Sequence, residues 1–456
     1  MSAFSAPGKA FLAGGFLVLD PQYPAYVTAL SSRMHAVVEK SSALAQDSTP
    51  PTESSITIKS PQFGGCWEFT FPDLTFSSVS EAQGRRNPFI EATISIVLAY
   101  LEPKSPFQLS ITIYSDPGYH SQDNTVLRKS ENGSKSFLFH NNPIERVAKT
   151  GLGSSAGLVT VLTTAILAFF LGKKQEDQVY ELKSLVHNIA QIAHCYAQKK
   201  IGSGFDVAAA TFGSIIYQRF DPEILNELFQ RENFLVNDRK AIKALAEKKW
   251  VFSAQPVALP PKIKLLMGDI KGGSETPKLV SKVLKWKADN KAESDKLYFD
   301  LNNANVQFIE SLKSLQSLHE QDIEKYESIL KVLAHAKVVD SDGGEKLEDL
   351  GPFKSLIDSI KKIRENLRKL TQFSGAEIEP IEQTHLLDDC SSIEGVLGGV
   401  VPGAGGYDAI CLLVIENSIS NVLQANGERL DKVTWLDLQE ESEGVVVEKA
   451  CDYVGF

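Results

Sequence analysis

Lys149-Thr150-Gly151-Leu152-Gly153-Ser154-Ser155-Ala156-Gly157 is the stretch whose reading decides the fold. Glycines and small residues crowd it, and the run from Leu158 to Leu171 that follows is almost wholly apolar and ends at Gly172. The pattern predicts a glycine loop running into a long helix, with a serine as N-cap and Gly172 as the stop. Such a junction suits an anion. Glycine lets the backbone come close, the first N–H groups of a helix lack intrahelical partners, and the helix dipole favours negative charge there.

The loop has look-alikes. No Gly-Lys-Ser/Thr closes it, so it is not a Walker A loop. It does satisfy G-x-G-x-x-A, a dinucleotide fingerprint, with Glu176 and Asp177 about 20 residues further on. That fingerprint needs a strongly apolar strand before it, and Asn142 to Lys149 is a poor one. Taken alone, the loop is also compatible with a plain turn before a buried helix. Gly157 to Leu171 is shorter than the roughly 20 residues of a membrane span. It carries Thr160, Thr163 and Thr164, so it reads as a core helix.

The 456 residues suffice for about two or three domains. A composition of 43% hydrophobic and 23% charged residues is that of a soluble globular chain. The formal net charge of −10 argues against nucleic acid or an anionic membrane as partner. An anionic substrate must then be drawn in by a local basic cluster. Cys66, Cys195, Cys390, Cys411 and Cys451 are scattered, with no C-x-x-C, so neither disulfides nor a zinc site are expected. The first residues lack the basic and apolar regions of a secretory leader, and a cytoplasmic monomer acting on small molecules is the expectation.

Phe16 to Leu19 and Ala25 to Val38 read as strands, and Pro7-Gly8-Lys9-Ala10 as a tight turn that fixes Lys9. Asn87-Pro88 opens a helix, and Asn132-Gly133 turns a hairpin. Leu182, Leu185, Val186, Ile189 and Ala193 have helical spacing, and that helix ends before Gly202-Ser203-Gly204. Asp206 follows, either as an N-cap or as a carboxylate that holds magnesium or a nucleophile. The character of the chain changes after Phe220, which suggests two domains, 1–220 and 221–456. Val396 to Val401 and Ile410 to Ile415 read as strands around Pro402-Gly403-Ala404-Gly405-Gly406, which alone is an ordinary turn.

Three glycine motifs thus stand in order: Pro7-Gly8-Lys9-Ala10 with Gly14-Gly15, then Gly151 to Gly157, then Gly403-Ala404-Gly405-Gly406-Tyr407-Asp408. Together they resemble the GHMP kinase family. Asn87-Pro88-Phe89-Ile90-Glu91, Tyr119-His120-Ser121-Gln122, Gly202-Ser203-Gly204-Phe205-Asp206, Met267-Gly268-Asp269-Ile270-Lys271 and Ser374-Gly375-Ala376-Glu377-Ile378-Glu379-Pro380 extend the likeness over almost the full length. Within the family they point to the branch whose acceptor is 5-phosphomevalonate.

The resemblance implies an α+β fold of two domains, one like domain 2 of ribosomal protein S5 and one ferredoxin-like. It implies ATP and magnesium. Lys149, Gly151, Leu152, Gly153, Ser154, Ser155, Ala156 and Gly157 would hold the ATP phosphates, and Ser155 and Asp206 the magnesium. Lys9 and Asp206 would be catalytic. His120, Ser121, Arg219, Gly405 and Gly406 would join Lys9 around the substrate. Arg33, Arg128, Lys199, Lys200, Arg219 and Lys271 are the candidates for the acceptor's own phosphate. One departure stands out. Relatives such as mevalonate kinase carry a magnesium-binding glutamate on the helix before the catalytic aspartate, whereas no carboxylate lies between Glu181 and Asp206 here. His194 and Cys195 stand in that region. Two other readings stay beside this one: a GHMP kinase with a hydroxyl acceptor such as mevalonate, and a catalytically silent ATP-binding sensor.

Overall fold

Ser2–Ala13 (β1) and Ala25–Glu39 (β2) pair antiparallel along most of their length and form the spine of a mixed sheet. The structure, a computed structural model, describes residues 1–39, 53–71, 81–226, 238–270, 276–338 and 350–456. Lys271 lies outside them. Ser54–Ser60 (β3), Gly65–Phe71 (β4) and Gln108–Ser115 (β5) extend the sheet in the order β1-β2-β5-β3-β4, with β3 parallel to β5. Thr125–Lys129 (β6) and Ser136–His140 (β7) make a separate hairpin, with Gly133 at φ 72° in its turn. Ile215–Gln218 (β8) pairs with the start of β2, and Ser253–Pro256 (β9) pairs with β8.

Lys9 lies within β1 opposite Ala29, not in a turn. The Pro-Gly pair instead makes a register shift, because Pro7 opposes Arg33 while Gly8 opposes Leu30. Proline has no N–H for the ladder, so a strand tolerates it at such an irregularity. Leu17–Leu19 is a short 3-10 turn rather than a strand. The N–H groups of Leu17 and Val18 bond back to Gly15 and Gly14, which curls the chain before Asp20-Pro21.

Pro88–Leu101 (α1), Ser154–Leu171 (α2), Glu176–Gln198 (α3) and Phe205–Phe212 (α4) pack together against β1 and β2. Asn87 caps α1 by accepting the Ile90 N–H, with Pro88 in the first turn. α2 is long and apolar enough to cross a membrane, yet most of its residues from Ala156 to Ala168 are buried among these neighbours. Its N-cap is Gly153 at φ 81°, not a serine, and no side chain caps it. Glycine alone takes that φ without strain, so loop geometry rather than a hydroxyl starts the helix. Gly172 ends it in the left-handed region, as its position suggested.

Arg239–Glu247 (α5) packs on α1 and α3. A second, wholly antiparallel sheet then forms from Ile263–Ile270 (β10), Val396–Val400 (β11), Ala409–Ile415 (β12) and Val433–Leu436 (β13), in the order β11-β12-β10-β13. Between β10 and β11 run the helices Thr276–Asp289 (α6), Lys291–Gln321 (α7), Ile323–Leu333 (α8), Pro352–Ser374 (α9) and Ile381–Ser391 (α10). α7 also reaches the first sheet, where Phe308 meets the edge of Tyr26 at 5.7 Å between ring centroids.

The chain passes from the first sheet to the second at residues 257–262 and returns at 437–439. Glu440–Glu441 (β14) then pairs with β2, and Val446–Glu448 (β15) with Ala3, Phe4 and Ser5 of β1. The expected division at residue 220 therefore does not coincide with the sheets, since β9, β14 and β15 belong to the first. Leu259 in one passage donates its N–H to Glu440 Oε2 beside the other.

Candidate active site

The loop before α2 opens on two adjoining hollows. Gly151 and Gly153 take φ 78° and 81°. The first intrahelical bond runs from Gly157 N–H to the Gly153 carbonyl, so the N–H groups of Ser154, Ser155 and Ala156 stay open for an anion. On one side lies an aromatic cavity of about 550 Å³, lined among others by Phe63, Trp67, Phe89 and His120. On the other lies a cleft of about 690 Å³ between the two sheets. It takes Lys9, Lys200, Phe205 and Asp206 from β1 and the α3–α4 segment, and Thr276, Pro277, Gly403 and Ala404 from the start of α6 and the turn after β11. Phe89, Lys149, Ser154 and Ser155 line both.

Lys9 and Asp206 both lie beside Gly153. A Cβ added there would lie 3.4 Å from Lys9 Cγ and Cε and 3.8 Å from Asp206 Cβ. The Lys9 N–H donates to the Leu152 carbonyl at 3.0 Å and its ammonium to the Gly151 carbonyl at 2.7 Å. Phe205 sits under the ammonium at 5.6 Å. Burial pulls the Lys9 pKa down from its ordinary value, and the nearby Asp206 charge opposes this. Asp206 stands in the first turn of α4, which Gly204 caps at φ 79°. Its Oδ1 accepts the Val207 N–H at 3.0 Å, and its Oδ2 accepts no hydrogen bond among the described residues.

Ser155 Oγ lies 3.1 Å from His194 Nε2, and Gln198 Nε2 lies 3.1 Å from the same nitrogen. The His194 ring stacks on Phe89 at 5.5 Å and 29°. Burial lowers the His194 pKa, with Asp206 pulling the other way.

The structure brings Lys9, Lys149, Gly151, Gly153, Ser154, Ser155 and Asp206 to the cleft and sets Leu152 and Ala156 behind it, buried. Gly157 packs against Tyr119 and Met34. Five expected substrate contacts stand elsewhere. His120 faces the aromatic cavity against Phe63 and bridges to the Lys149 backbone. Burial, with His140 and Lys149 adding, pulls its pKa down to about 4, so it is neutral. Ser121 bonds to Asp123 and Ala148 and lines neither hollow. Arg219 is held by the Leu19 and Gly202 carbonyls, bracing the turn before Asp206 from behind. In the third glycine motif Gly403 and Ala404 reach the cleft. Gly405 and Gly406 do not, for they press against the Ile378 backbone, where a Cβ on Gly405 would sit 2.3 Å from the carbonyl oxygen. Arg33 is likewise taken by Ser5 and Gly444, and Arg128 covers the Phe139 ring. Lys199 is the left-handed C-cap of α3. Phe63 and Trp67 were not foreseen. Aromatic residues in β-prone stretches were their only signal.

The family model described as the GHMP kinases N terminal domain matches residues 127–214. A phosphomevalonate kinase of Candida albicans is 50% identical over 461 residues, covering 99% of this chain and 99% of its own. This chain belongs to the phosphomevalonate kinase family. A peroxisomal phosphomevalonate kinase of Arabidopsis thaliana is 31% identical over 489 residues, covering 97% of this chain and 95% of its own. The Streptococcus pneumoniae phosphomevalonate kinase solved in complex with phosphomevalonate and AMPPNP shares the fold, with a TM-score of 0.60 at 18% identity over 97% of this chain and 100% of that one. The α+β GHMP kinase fold expected from the three glycine motifs is the fold found.

Magnesium, expected with ATP in a phosphomevalonate kinase, suits the residues present. Among the described residues no group of three or more His, Cys, Asp or Glu could enclose a metal. Magnesium keeps several waters and substrate phosphates and needs only one or two protein oxygens. Asp206 Oδ2 and Ser155 Oγ, both on the cleft, fit that modest requirement.

Proposed function

We propose that the protein transfers the γ-phosphoryl group of ATP to the phosphate of 5-phosphomevalonate, giving ADP and 5-diphosphomevalonate on the route to isoprenoids and sterols. The observation that carries this reading is Lys9 and Asp206 both beside Gly153, where the two hollows meet at an open helix N-terminus. The aromatic cavity suits a nucleoside, since Trp67, Phe63 and Phe89 offer faces to stack on. The open N–H groups of α2 take the ATP phosphates. The acceptor lies in the cleft, where Lys149 and Lys200 supply positive charge against the overall negative field.

The attacking group is an oxygen of the acceptor phosphate. With a second pKa near ~6, that phosphate is largely a dianion at neutral pH, and removing a proton has little to add. Asp206 then orients the acceptor oxygen and balances the Lys9 charge. A bond forms from this oxygen to the γ-phosphorus while the bond to the β–γ bridging oxygen breaks, and its electron pair leaves on ADP. Charge spreads over the equatorial oxygens of the transferred group, and the Lys9 ammonium and the loop N–H groups meet it there. Magnesium, held by Ser155 Oγ, Asp206 and phosphate oxygens, would neutralise charge on the ATP phosphates.

Incubating the protein with ATP and either phosphomevalonate or mevalonate, and measuring ADP, tests this. Release with phosphomevalonate is expected. Release with mevalonate alone would move it to the hydroxyl-acceptor kinases, and release with neither would make it a sensor. We place the protein in the cytoplasm as a monomer. A fluorescent fusion concentrated in peroxisomes, or a dimeric mass in light scattering, would correct that.

A further inference from the structure

We infer that His194 is a positioning residue for Ser155: its bare Nε2 accepts the Ser155 hydroxyl proton and turns the oxygen's lone pairs toward the nucleotide phosphates and their metal. This rests on the kinase reading above and adds a residue that the glycine motifs do not contain.

A serine in the first turn of a helix has few places to put its hydrogen. The carbonyl four residues back is a common acceptor, but for Ser155 that is Gly151, which accepts from the Lys9 ammonium at 2.7 Å. Among the described residues the side-chain partner of Ser155 Oγ is instead His194 Nε2 at 3.1 Å. A hydroxyl that offers lone pairs to a cation must point its hydrogen away, and left alone it rotates freely. His194 fixes it. The ring is itself fixed, being buried on α3, stacked on Phe89 and approached by Gln198 one turn further on. Ser155 Oγ and Gln198 Nε2 both stand 3.1 Å from Nε2, so without a hydrogen of its own that nitrogen shares its one lone pair between the two donors. Between Glu181 and Asp206 the chain carries no carboxylate, so no acidic side chain of α3 beyond Glu181 can take this place.

The test compares Ser155→Ala, His194→Phe, His194→Gln and the double variant Ser155→Ala/His194→Phe. ADP affinity is titrated by calorimetry with magnesium and with chelator. A partner that orients a metal ligand typically contributes about 10–100-fold in affinity. Ser155→Ala and His194→Phe should each lower the magnesium-dependent gain in ADP binding, taken as the ratio of affinities with and without magnesium within each variant, by about ten-fold. His194→Gln, whose side-chain oxygen can accept the same proton, should recover part of the gain. The double variant should be no worse than Ser155→Ala, because His194 acts through Ser155. Equal losses with and without magnesium in His194→Phe, or losses that multiply in the double variant, overturn the proposal. If Ser155→Ala alone keeps the full gain, the metal-ligand reading of Ser155 fails, and this inference with it. If Ser155→Ala loses the gain and His194→Phe does not, this inference alone fails.

Discussion

Leu259 donates its backbone N–H to Glu440 Oε2 at 2.7 Å, tying together the two passages between the sheets. Among the described residues the other oxygen, Oε1, has no hydrogen-bond partner, and neither has the buried hydroxyl of Tyr26, whose pKa burial raises and the Glu440 charge raises further. Burial pushes the Glu440 carboxyl up from 4.5 to about 7, and Leu259, Lys264 and Ser214 only partly oppose this. A carboxyl that holds its proton more tightly when folded stabilises the fold fully below its unfolded value. That contribution fades as pH rises through the folded value. At ~1.36 kcal/mol per pKa unit the change between pH 4.5 and 7 is about 3 kcal/mol. Glu440→Gln, which keeps an acceptor for Leu259, should remove this loss. Urea unfolding at pH 5.5 and at pH 8 checks it. The variant should gain on wild type by more at the higher pH, and an equal difference at both would show that Glu440 does not titrate in this range.

Lys9→Met should lower kcat by about 10²–10³-fold, the usual cost of losing one group aimed at transition-state charge. The KM for ATP should change by roughly three-fold at most, because the loop N–H groups remain. Steady-state kinetics over ATP concentration decides it. A large rise in KM with kcat intact would make Lys9 a ground-state contact.

Asp206→Asn should lose most activity, with part returning as magnesium is raised. In wild type the acidic limb of kcat/KM should follow the acceptor's own ionisation near ~6. It should move when an acceptor analogue of different phosphate pKa is used. A limb that stays put with the analogue and vanishes in the variant would assign it to Asp206 and restore a general-base role.

Trp67→Ala should weaken ATP and spare the acceptor. Aromatic stacking on a base contributes about 1–3 kcal/mol, so the KM for ATP should rise roughly ten-fold with little change in kcat. A rise in the acceptor KM instead would exchange the roles of the two hollows.

The parts of the site visible in the sequence were those the backbone demands. Gly151 and Gly153 need positive φ, and Lys9 and Asp206 sit in glycine-flanked segments that only a close approach explains. Gly405 and Gly406 misled for the same reason, since a glycine needed to clear the Ile378 backbone looks in sequence like one needed to clear a ligand. The Pro-Gly before Lys9 suggested a turn, and pairing with β2 overrode that local preference. Arg219 read as a substrate cation, and backbone carbonyls claimed it instead. Trp67 alternates with Phe69 and Phe71 and so marks a half-buried strand rather than a site; β4 reaches the cavity only because it pairs with β3, and β3 in parallel with β5, with Ser55 opposite Gln108. Contacts of that range are set by the whole fold, not by the residues beside them.

The pairing of β15 with β1 also bears on how the chain is made. Ser5 Oγ donates to Glu448 Oε1 at 2.7 Å, across 443 positions of sequence. β1 leaves the ribosome 443 positions ahead of this hydrogen-bonded neighbour. At ~5–20 residues per second, the edge of the first sheet stands open for about 20 to 90 seconds. An unpaired edge invites other strands, so the nascent chain is most exposed to misassembly, and to chaperone capture, before residues 446–448 arrive to close it.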